Sequence, residues 1–282
     1  MRNRFGELDL AASAAALLLL LFAVLAVLAP LVAPHDPTAS SLSARLLPPI
    51  WSEGGQSTYL LGTDQLGRDV LSRLIYGARV SLAVGVAAVL MAGAIGTALG
   101  ITAGYLGGFA DQVIMRVVDA WMAMPSLVFA IFLAAMVGQS AINVVLILGL
   151  VYWTRYARLV RGEVLSLRER DFVKLAVVTG ASSLRIMVRH ILPNVVNTTV
   201  VLATLMLGVV IVTEASLSFL GVGVPPPNPA WGLMLADGKQ AMMVGKWWLT
   251  VLPGACILLT VMSASILGDY MRDRFDPKGK MR

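Results

Sequence analysis

The chain has 282 residues, of which 58% are hydrophobic and 13% are charged, and its formal net charge is +6. A soluble domain of this size needs a larger charged surface, so the composition excludes an ordinary soluble protein and predicts an integral membrane protein. With two histidines and one cysteine, the chain offers no cluster of metal ligands, and we predict no metal site.

Long uncharged windows locate the predicted membrane spans. A spanning helix needs about 20 apolar residues. The third window, 120–154, is too long for one span, and Gly138-Gln139-Ser140 offers a turn inside it. We therefore predict an all-α membrane protein with six spans, at about 10–32, 80–104, 117–137, 141–160, 195–217 and 248–268.

The loops between these windows divide the chain into three predicted parts. They are the N-terminal segment with the first span (1–33), an extracytoplasmic loop (34–79), and a core of five spans (80–282) that contains a cytoplasmic loop at 163–193. The first apolar run is too long for a cleaved signal peptide, so we interpret it as a retained span. From Asp69 onward, apolar residues at helical spacing predict an amphipathic helix lying at the outer membrane face before the second span.

Basic residues indicate the orientation. Most of the 22 Lys and Arg residues fall in 1–9, 105–116, 155–193 and 269–282. Cytoplasmic loops carry an excess of Lys and Arg, so both termini are predicted in the cytoplasm. The positive charge is thereby explained by the rim of a membrane protein in contact with lipid, and it requires no nucleic acid.

Two loops have distinctive sequences. In the outer loop, four prolines within 225–229 predict a stiff extended turn, and a short helix is expected at about 234–243. On the inner side, "KLAVVTGASSLRIMVRHILPN" (174–194) predicts two short helices that meet at Gly180. The second helix would be capped by Ser182 or Ser183 and would end near Pro193. Such a pair is typical either of a helix pair lying on anionic lipid or of a knob presented to a cytosolic protein.

The pattern Lys174-x-Ala176-x3-Gly180-x11-Leu192-Pro193 resembles the "EAA" loop of bacterial ABC importer permeases. Five further motifs, in the same order along the chain, resemble the second permease subunit of the dipeptide/oligopeptide (peptide/nickel) importers. They are "LGTDQLGRDVLSRLIYGARVSL", "GYLGGFADQVIMRVVDAWMAMPSL", "HILPN", "EASLSFLGVGVPPPNPAWGLML" and "LGDYMRDRFDPK". The chain departs from that pattern in having Lys174 in place of an acid, Leu175 in place of an alanine and His190 at an often aliphatic position.

This resemblance implies the type I ABC importer permease fold. It also implies that the chain is a transport subunit and not an enzyme. The chain has no phosphate-binding P-loop, because the glycines before Lys239, Lys246 and Lys280 lack a second glycine five residues earlier. ATP and Mg would therefore bind two separate ABC ATPase subunits, and this chain would hold no cofactor. The other implied partners are a second, homologous six-span permease and an extracytoplasmic substrate-binding protein, in a bacterial cytoplasmic membrane. Peptides or peptide-like solutes are the implied cargo.

The resemblance also implies where functional residues lie, and no catalytic residue is among them. The implied ATPase-coupling residues are Lys174, Ala176, Gly180, Ala181, Ser182, Arg185, His190, Leu192 and Pro193. Candidates for the outer gate or for contacts with the binding protein are Arg68, Asp69, Arg73, Pro225 and Trp231. Asp119 and Glu214 lie in or beside spans, where a carboxylate is costly, and each is a candidate either for lining the pathway or for structural pairing.

Two alternative functions remain open from the sequence. A stand-alone secondary transporter or channel would use intramembrane charges such as Asp119 and Glu214 as a relay, although we find neither a paired base nor an internal repeat. A membrane scaffold without a transport role would leave the 174–193 loop unexplained.

Overall fold

The computed structural model describes residues 2–275, and the side chains of 10–274. Within that range the regular secondary structure is helical, and the sole β feature is an isolated bridge between Thr63 and Asp69. The helices are α1 (Arg2–Val27), α2 (Ala29–Val32), α3 (Val70–Leu106), α4 (Gly108–Met122), α5 (Ser126–Val137), α6 (Ala141–Leu167), α7 (Asp171–Val178), α8 (Ser183–Ile186), α9 (Leu192–Phe219), α10 (Trp231–Met242) and α11 (Trp248–Phe275), with a π-helical segment at Met187–Ile191. The end of the third predicted part, 276–282, lies outside the described residues.

The all-α membrane fold predicted from the sequence is confirmed, although the number of spans is not. Four helical stretches are long and apolar enough to cross a membrane: Leu10–Val27, Val70–Leu106, Ser183–Phe219 and Trp248–Arg274. A fifth arises if α4 and α5, which are bent by 90° at their junction, are counted as one span. Helix α6 has 27 residues but is rich in arginine in its second half. The sixth span therefore remains a prediction.

The third predicted span, 117–137, is wrong as a single helix. Helix α4 ends at Met122, and α5 begins at Ser126, directly after Pro125. Proline has no N–H to donate within a helix and disfavours a helical conformation in the preceding residue, so the helix breaks here. The turn predicted at Gly138-Gln139-Ser140 is confirmed. Gly138 has φ +87°, and the Ser140 hydroxyl accepts a hydrogen bond from the Ile142 N–H at 3.3 Å.

The predicted amphipathic helix on the outer surface is also wrong. Helix α3 starts at Val70 and continues without a break to Leu106, so the expected surface helix is the first part of the second span. The Asp69 carboxylate caps the helix by accepting from the Ser72 N–H at 2.9 Å. Val70 and Leu74, which were expected to face the membrane surface, are buried. At 37 residues, α3 is about 55 Å long and extends beyond a hydrocarbon core of about 30 Å.

The centre of the structure is the contact between α3 and α6. Along one face, α3 presents Gly93, Gly96, Gly100 and Gly104, at intervals of three or four residues. A Cβ atom at Gly96 would lie 2.2 Å from the backbone oxygen of Trp153, and one at Gly100 would lie 2.7 Å from that of Ala157. Small residues of this kind allow two helix backbones to approach closely in a membrane.

We predict that Gly96→Ala destabilises the protein by about 1–3 kcal/mol, because its methyl group would overlap backbone atoms of α6. The measurement is the midpoint of thermal unfolding in detergent. Gly162→Ala is the matched control, since Gly162 lies within α6 with no atom within 4 Å of the added Cβ. Equal midpoints for the two variants would contradict the proposed close contact.

Candidate functional site

The segment implied to couple to ATPases is built around a glycine turn, as predicted. Helix α7 ends at Val178, and Gly180 has φ +79°, a left-handed conformation that favours glycine. The Gly180 N–H donates to the Val177 carbonyl at 3.0 Å, and the Ala181 N–H donates to the Ala176 carbonyl at 3.0 Å. These two bonds form a Schellman motif, which fixes the direction in which the chain leaves α7.

The second helix starts as predicted but does not end as predicted. The Ser182 hydroxyl accepts from the Arg185 N–H at 3.4 Å and caps α8. The helix then continues past Pro193, through the π-helical segment Met187–Ile191, into α9. The wider π turn accommodates a proline that would clash with a carbonyl of a regular α-helix. As a result, 183–219 forms one helical stretch of 37 residues.

The inner face of this segment is anchored in the core. Its buried side chains lie in one hydrophobic cluster with the ends of α3 and α6, and the members of that cluster are Ile101, Val160, Val164, Val173, Ala176, Ile186, Ile191 and Val195. Burial of this apolar face holds the segment firmly on the two central helices. Ala176 thus belongs to the anchor, and Leu192 packs against the same cluster.

The solvent-exposed face of the segment is apolar and basic. The exposed fractions of Leu175, Val178 and Leu184 are 63%, 83% and 67%. A hollow of about 440 Å³ beside them is lined by Phe172, Leu175, Ala176, Thr179, Gly180, Ala181, Arg185, Arg189 and His190. Lys174 is not part of this lining and pairs with Glu169 at 3.3 Å. Exposed apolar surface rimmed by charge is typical of a protein interaction site.

A second candidate site is a network of charges on the side predicted to be extracytoplasmic, here called the outer network. Arg68 Nε lies 2.6 Å from Asp64 Oδ2, and Arg73 Nε lies 3.5 Å from the same oxygen. Both arginines also reach Asp237 of α10, at 3.3 and 3.4 Å. Burial raises the pKa of the Asp237 carboxyl, and the two arginines act in the opposite direction. This outer network joins the 34–79 loop and the start of α3 to α10.

Next to this network, the indole of Trp231 fills a buried space between α1, α3 and α10. Its Nε1–H donates to the Leu74 carbonyl at 3.0 Å, and its ring meets Phe22 edge-on at 5.5 Å. A Cβ at Gly77 would lie 2.8 Å from the indole ring, so glycine is required there for the close fit. The helix predicted at about 234–243 is present as α10 and begins earlier, at Trp231.

The candidates for outer contacts therefore separate into two groups. Asp69, Arg73 and Trp231 are 2%, 1% and 0% exposed, so a docked protein has no access to them in this structure. Arg68 is largely enclosed by its two carboxylate partners. Pro225 is half-buried and adjoins exposed residues 226–228. A role for the buried group in an outer gate remains a prediction.

Glu214 lies fully buried in α9 and accepts hydrogen bonds from two hydroxyls. The Ser218 Oγ donates at 2.8 Å, and the Ser81 Oγ of α3 donates at 3.4 Å. The Ser81 Oγ in turn accepts from the Trp231 N–H at 3.3 Å. These contacts connect α9, α3 and the start of α10, and the choice between the two candidate roles of Glu214 remains a prediction.

Asp119 is paired with a base, contrary to the expectation from the sequence. Its carboxylate binds Arg158 of α6, and both side chains are about half exposed or more. One layer away, Arg161 makes two bonds of 2.6 Å to the carboxylate of Asp111. These pairs could not be predicted from local sequence, because each joins residues about 40 or 50 positions apart. Among the side chains that the structure describes, those of residues 10–274, no group of three or more His, Cys, Asp or Glu is arranged to hold a metal ion.

We predict that Arg73→Met destabilises the protein by about 3 kcal/mol, because it leaves Asp64 and Asp237 without one of their two shared cations. This value is at the low end for a buried pair, because Asp237 is 40% exposed and water screens it. Thermal unfolding in detergent and limited proteolysis of the 34–79 loop measure the effect. Arg45→Met, at an exposed position in the same loop, is the control. Equal shifts in both variants would rule out the network as the cause.

Comparison with known proteins agrees with this geometry. Residues 96–280 match the family model described as the inner membrane component of binding-protein-dependent transport systems. The chain is 43% identical over 264 residues to the di/tripeptide transport system permease protein DppC of Pseudomonas aeruginosa, covering 94% of this chain and 87% of the relative.

Two further relatives are similarly close. The dipeptide transport system permease protein DppC of Escherichia coli is 45% identical, with 91% of this chain and 85% of the relative covered. The glutathione transport system permease protein GsiD of Pectobacterium atrosepticum is 40% identical, with 95% and 87% covered. The chain thus belongs to the family of inner membrane components of binding-protein-dependent transport systems, and it is a multi-pass membrane permease.

Proposed function

We propose that the chain forms half of the pathway of an ATP-driven importer for di- or oligopeptides or peptide-like solutes. The observation that carries this proposal is the exposed basic and apolar face at 174–193, which is mounted on the central helices and continuous with a span. Relatives named for dipeptides, di/tripeptides and glutathione support cargo of this chemical class.

The segment at 174–193, here called the coupling segment, would fit a groove on a partner protein that has an apolar floor and an acidic rim. Leu175, Val178 and Leu184 would enter the groove, and Arg185 and Arg189 would meet acidic side chains around it. That groove would belong to one of two ABC ATPase subunits. Since this chain has no P-loop, those subunits would bind the ATP and Mg. In this arrangement the hollow at Gly180, Ala181 and His190 lies at the contact.

The mechanical connection follows from the continuity of the helix. When the ATPase subunits close, the coupling segment moves with them, and α9 must move with it because 183–219 is one helical stretch. The burial of its inner face against α3 and α6 transmits the same displacement to the central pair. A rigid-body tilt of this kind would switch the side to which the pathway opens.

The remaining partners complete the importer. A second, homologous six-span permease would supply the other half of the pathway, and an extracytoplasmic binding protein would deliver the cargo. A hollow of about 520 Å³ on the outer side, lined in part by His35, Asp36, Tyr76 and Asn228, offers that protein an open surface. Both termini would lie in the cytoplasm of a bacterium, with the chain in its cytoplasmic membrane.

Purification of the chain from its native membrane in mild detergent tests the assembly. We expect a P-loop ATPase and a second six-span protein to co-purify, and the complex to hydrolyse ATP in a vanadate-sensitive reaction. A chain that purifies alone and hydrolyses no ATP in several detergents would refute the proposal and favour a stand-alone secondary transporter.

We predict that Gly180→Val uncouples ATP hydrolysis from uptake while leaving membrane insertion intact. At φ +79°, a side chain costs about 1–2 kcal/mol, so valine would shift the backbone out of the Schellman turn and change the direction of the docking face. Uptake and ATP hydrolysis are measured in liposomes that contain the complete importer.

Gly245→Val is the matched control for this variant. Gly245 has φ +78° and open space around it, as Gly180 does, but it lies in the loop between α10 and α11. We expect it to keep hydrolysis and uptake coupled. Unchanged uptake by Gly180→Val would disprove the docking model.

A further inference from the structure

Helix α6 carries three arginines at intervals of three residues, and two of them are paired with acids of α4. Arg161 binds Asp111, and Arg158 binds Asp119. Among the side chains of residues 10–274, which the structure describes, no ion pair involves Arg155. Its guanidinium lies over the Tyr152 ring, 5.4 Å from the centroid, and its Nη1 is 3.9 Å from Met206 Sδ. Arg155 thus lies beside an aromatic ring and a thioether sulfur, both uncharged, whereas Arg158 and Arg161 each lie beside a carboxylate.

Arg155 also lies inside the predicted span 141–160, five residues before its cytoplasmic end in helix α6. That distance is about 8 Å at about 1.5 Å per residue. The side chain is exposed on the surface of the chain. A charged side chain within a span almost always faces the interior of a helix bundle or a water-filled cavity.

The surface below Arg155 is consistent with a water-filled passage. Arg158, Leu159, Gly162 and Ser166 follow it at helical spacing, and all are exposed. On the other side of Arg155, the helix is covered, since Val151, Tyr152 and Leu148 are buried. Arg155 is therefore the first residue of an exposed strip toward the C-terminal end of α6, in which the polar side chains of Arg158 and Ser166 alternate with Leu159 and Gly162.

A small hollow of about 100 Å³ lies beside Arg155, at the bend between α4 and α5. Its lining combines two aromatic rings with two hydroxyl-bearing side chains, and the full set is Trp121, Met122, Ser126, Phe129, Val151, Thr154 and Arg155. The Trp121 N–H is already used, since it donates to the Leu150 carbonyl at 2.8 Å. The hollow has room for one small charged group and the atoms next to it, but not for a whole peptide.

We propose that Arg155 binds the C-terminal carboxylate of a peptide as the peptide passes through the pathway, an inference that rests on the proposed function. A guanidinium presents paired N–H donors that match the two oxygens of a carboxylate. The carboxylate is common to all unmodified peptides, so this contact serves cargo of any sequence. Because Arg155 is exposed, the contact is weak enough to be released, as transport requires.

The test compares two cargoes in liposomes that contain the complete importer and saturating binding protein. One is a dipeptide with a free C-terminus and the other is its C-terminal amide, and the loading of the binding protein with each is measured separately. In Arg155→Gln we expect uptake of the free acid to fall about tenfold, as for loss of one charge-assisted contact, and uptake of the amide to change less than twofold. Arg155→Lys should retain most of the uptake of the free acid.

Arg158→Gln is the matched control, because it removes the same charge three residues away from an arginine that already has a carboxylate partner. We expect it to lower uptake of both cargoes by the same factor. An equal loss of both cargoes in Arg155→Gln, or no loss of either, would overturn the proposal.

Two further outcomes would also overturn it and are distinct from each other. If Arg155→Gln no longer co-purifies with the second permease, then Arg155 pairs with an acid of that subunit. If the unmodified importer moves neither cargo while it hydrolyses ATP, the peptide assignment under the proposed function fails, and this inference fails with it.

Discussion

The close approach of α3 and α6 is the constraint on which the rest of the structure depends. Glycines on α3 bring the two backbones together, and a methyl group at Gly96 or Gly100 would overlap the backbone of α6. Since both helices are held at this distance, their ends form a single surface. On that surface, Ile101, Val160 and Val164 receive the inner face of the coupling segment. The position of the candidate coupling site is thus set by packing deep in the membrane, in addition to its own sequence.

The same central pair determines where charge is presented. The buried side of α6 faces α3, and its arginines must therefore emerge on the other sides of the helix. Helix α4 follows α3 after a glycine turn at Gly107, which has φ +65°, and its two aspartates lie beside two of these arginines. At the level of Arg155, α4 presents Trp121 and Met122, which carry no carboxylate, just before the break at Pro125. Two arginines are therefore paired because aspartates of α4 lie beside them, and the third meets only uncharged residues of that helix.

Much of the fold could be predicted from the sequence, and the errors have physical causes. Uncharged windows located the spanning helices because lipid excludes charge, and Gly180 and Gly138 marked turns because their backbone is left-handed. Window counting failed at Pro125, since hydropathy does not register a missing N–H. The expectation from proline geometry failed at Pro193, where a π segment carries the helix past a proline that was expected to stop it. The outer part of α3 was predicted as a surface helix because the sequence does not show that Trp231, over 150 residues away, covers it.

For the candidate sites, less could be predicted from the sequence than for the fold. Local signals sufficed for the glycine turn of the coupling segment and for the serine cap after it, because each involves residues only a few positions apart. They did not suffice for Arg73 or Trp231, whose place in the motif suggested a contact surface although both are buried.

A basic residue in a motif can be either buried or exposed, and pairing with a carboxylate of its own chain decides which. On the outer side, two arginines and two aspartates lie together, and they can be buried because each cation meets a carboxylate. On the exposed face of the coupling segment, Arg185 and Arg189 have no carboxylate partner among the side chains of residues 10–274 and remain at the surface. A basic residue in a membrane protein is therefore a candidate for contact with cargo or with another subunit when its own chain leaves it unpaired, and a structure is needed to establish that.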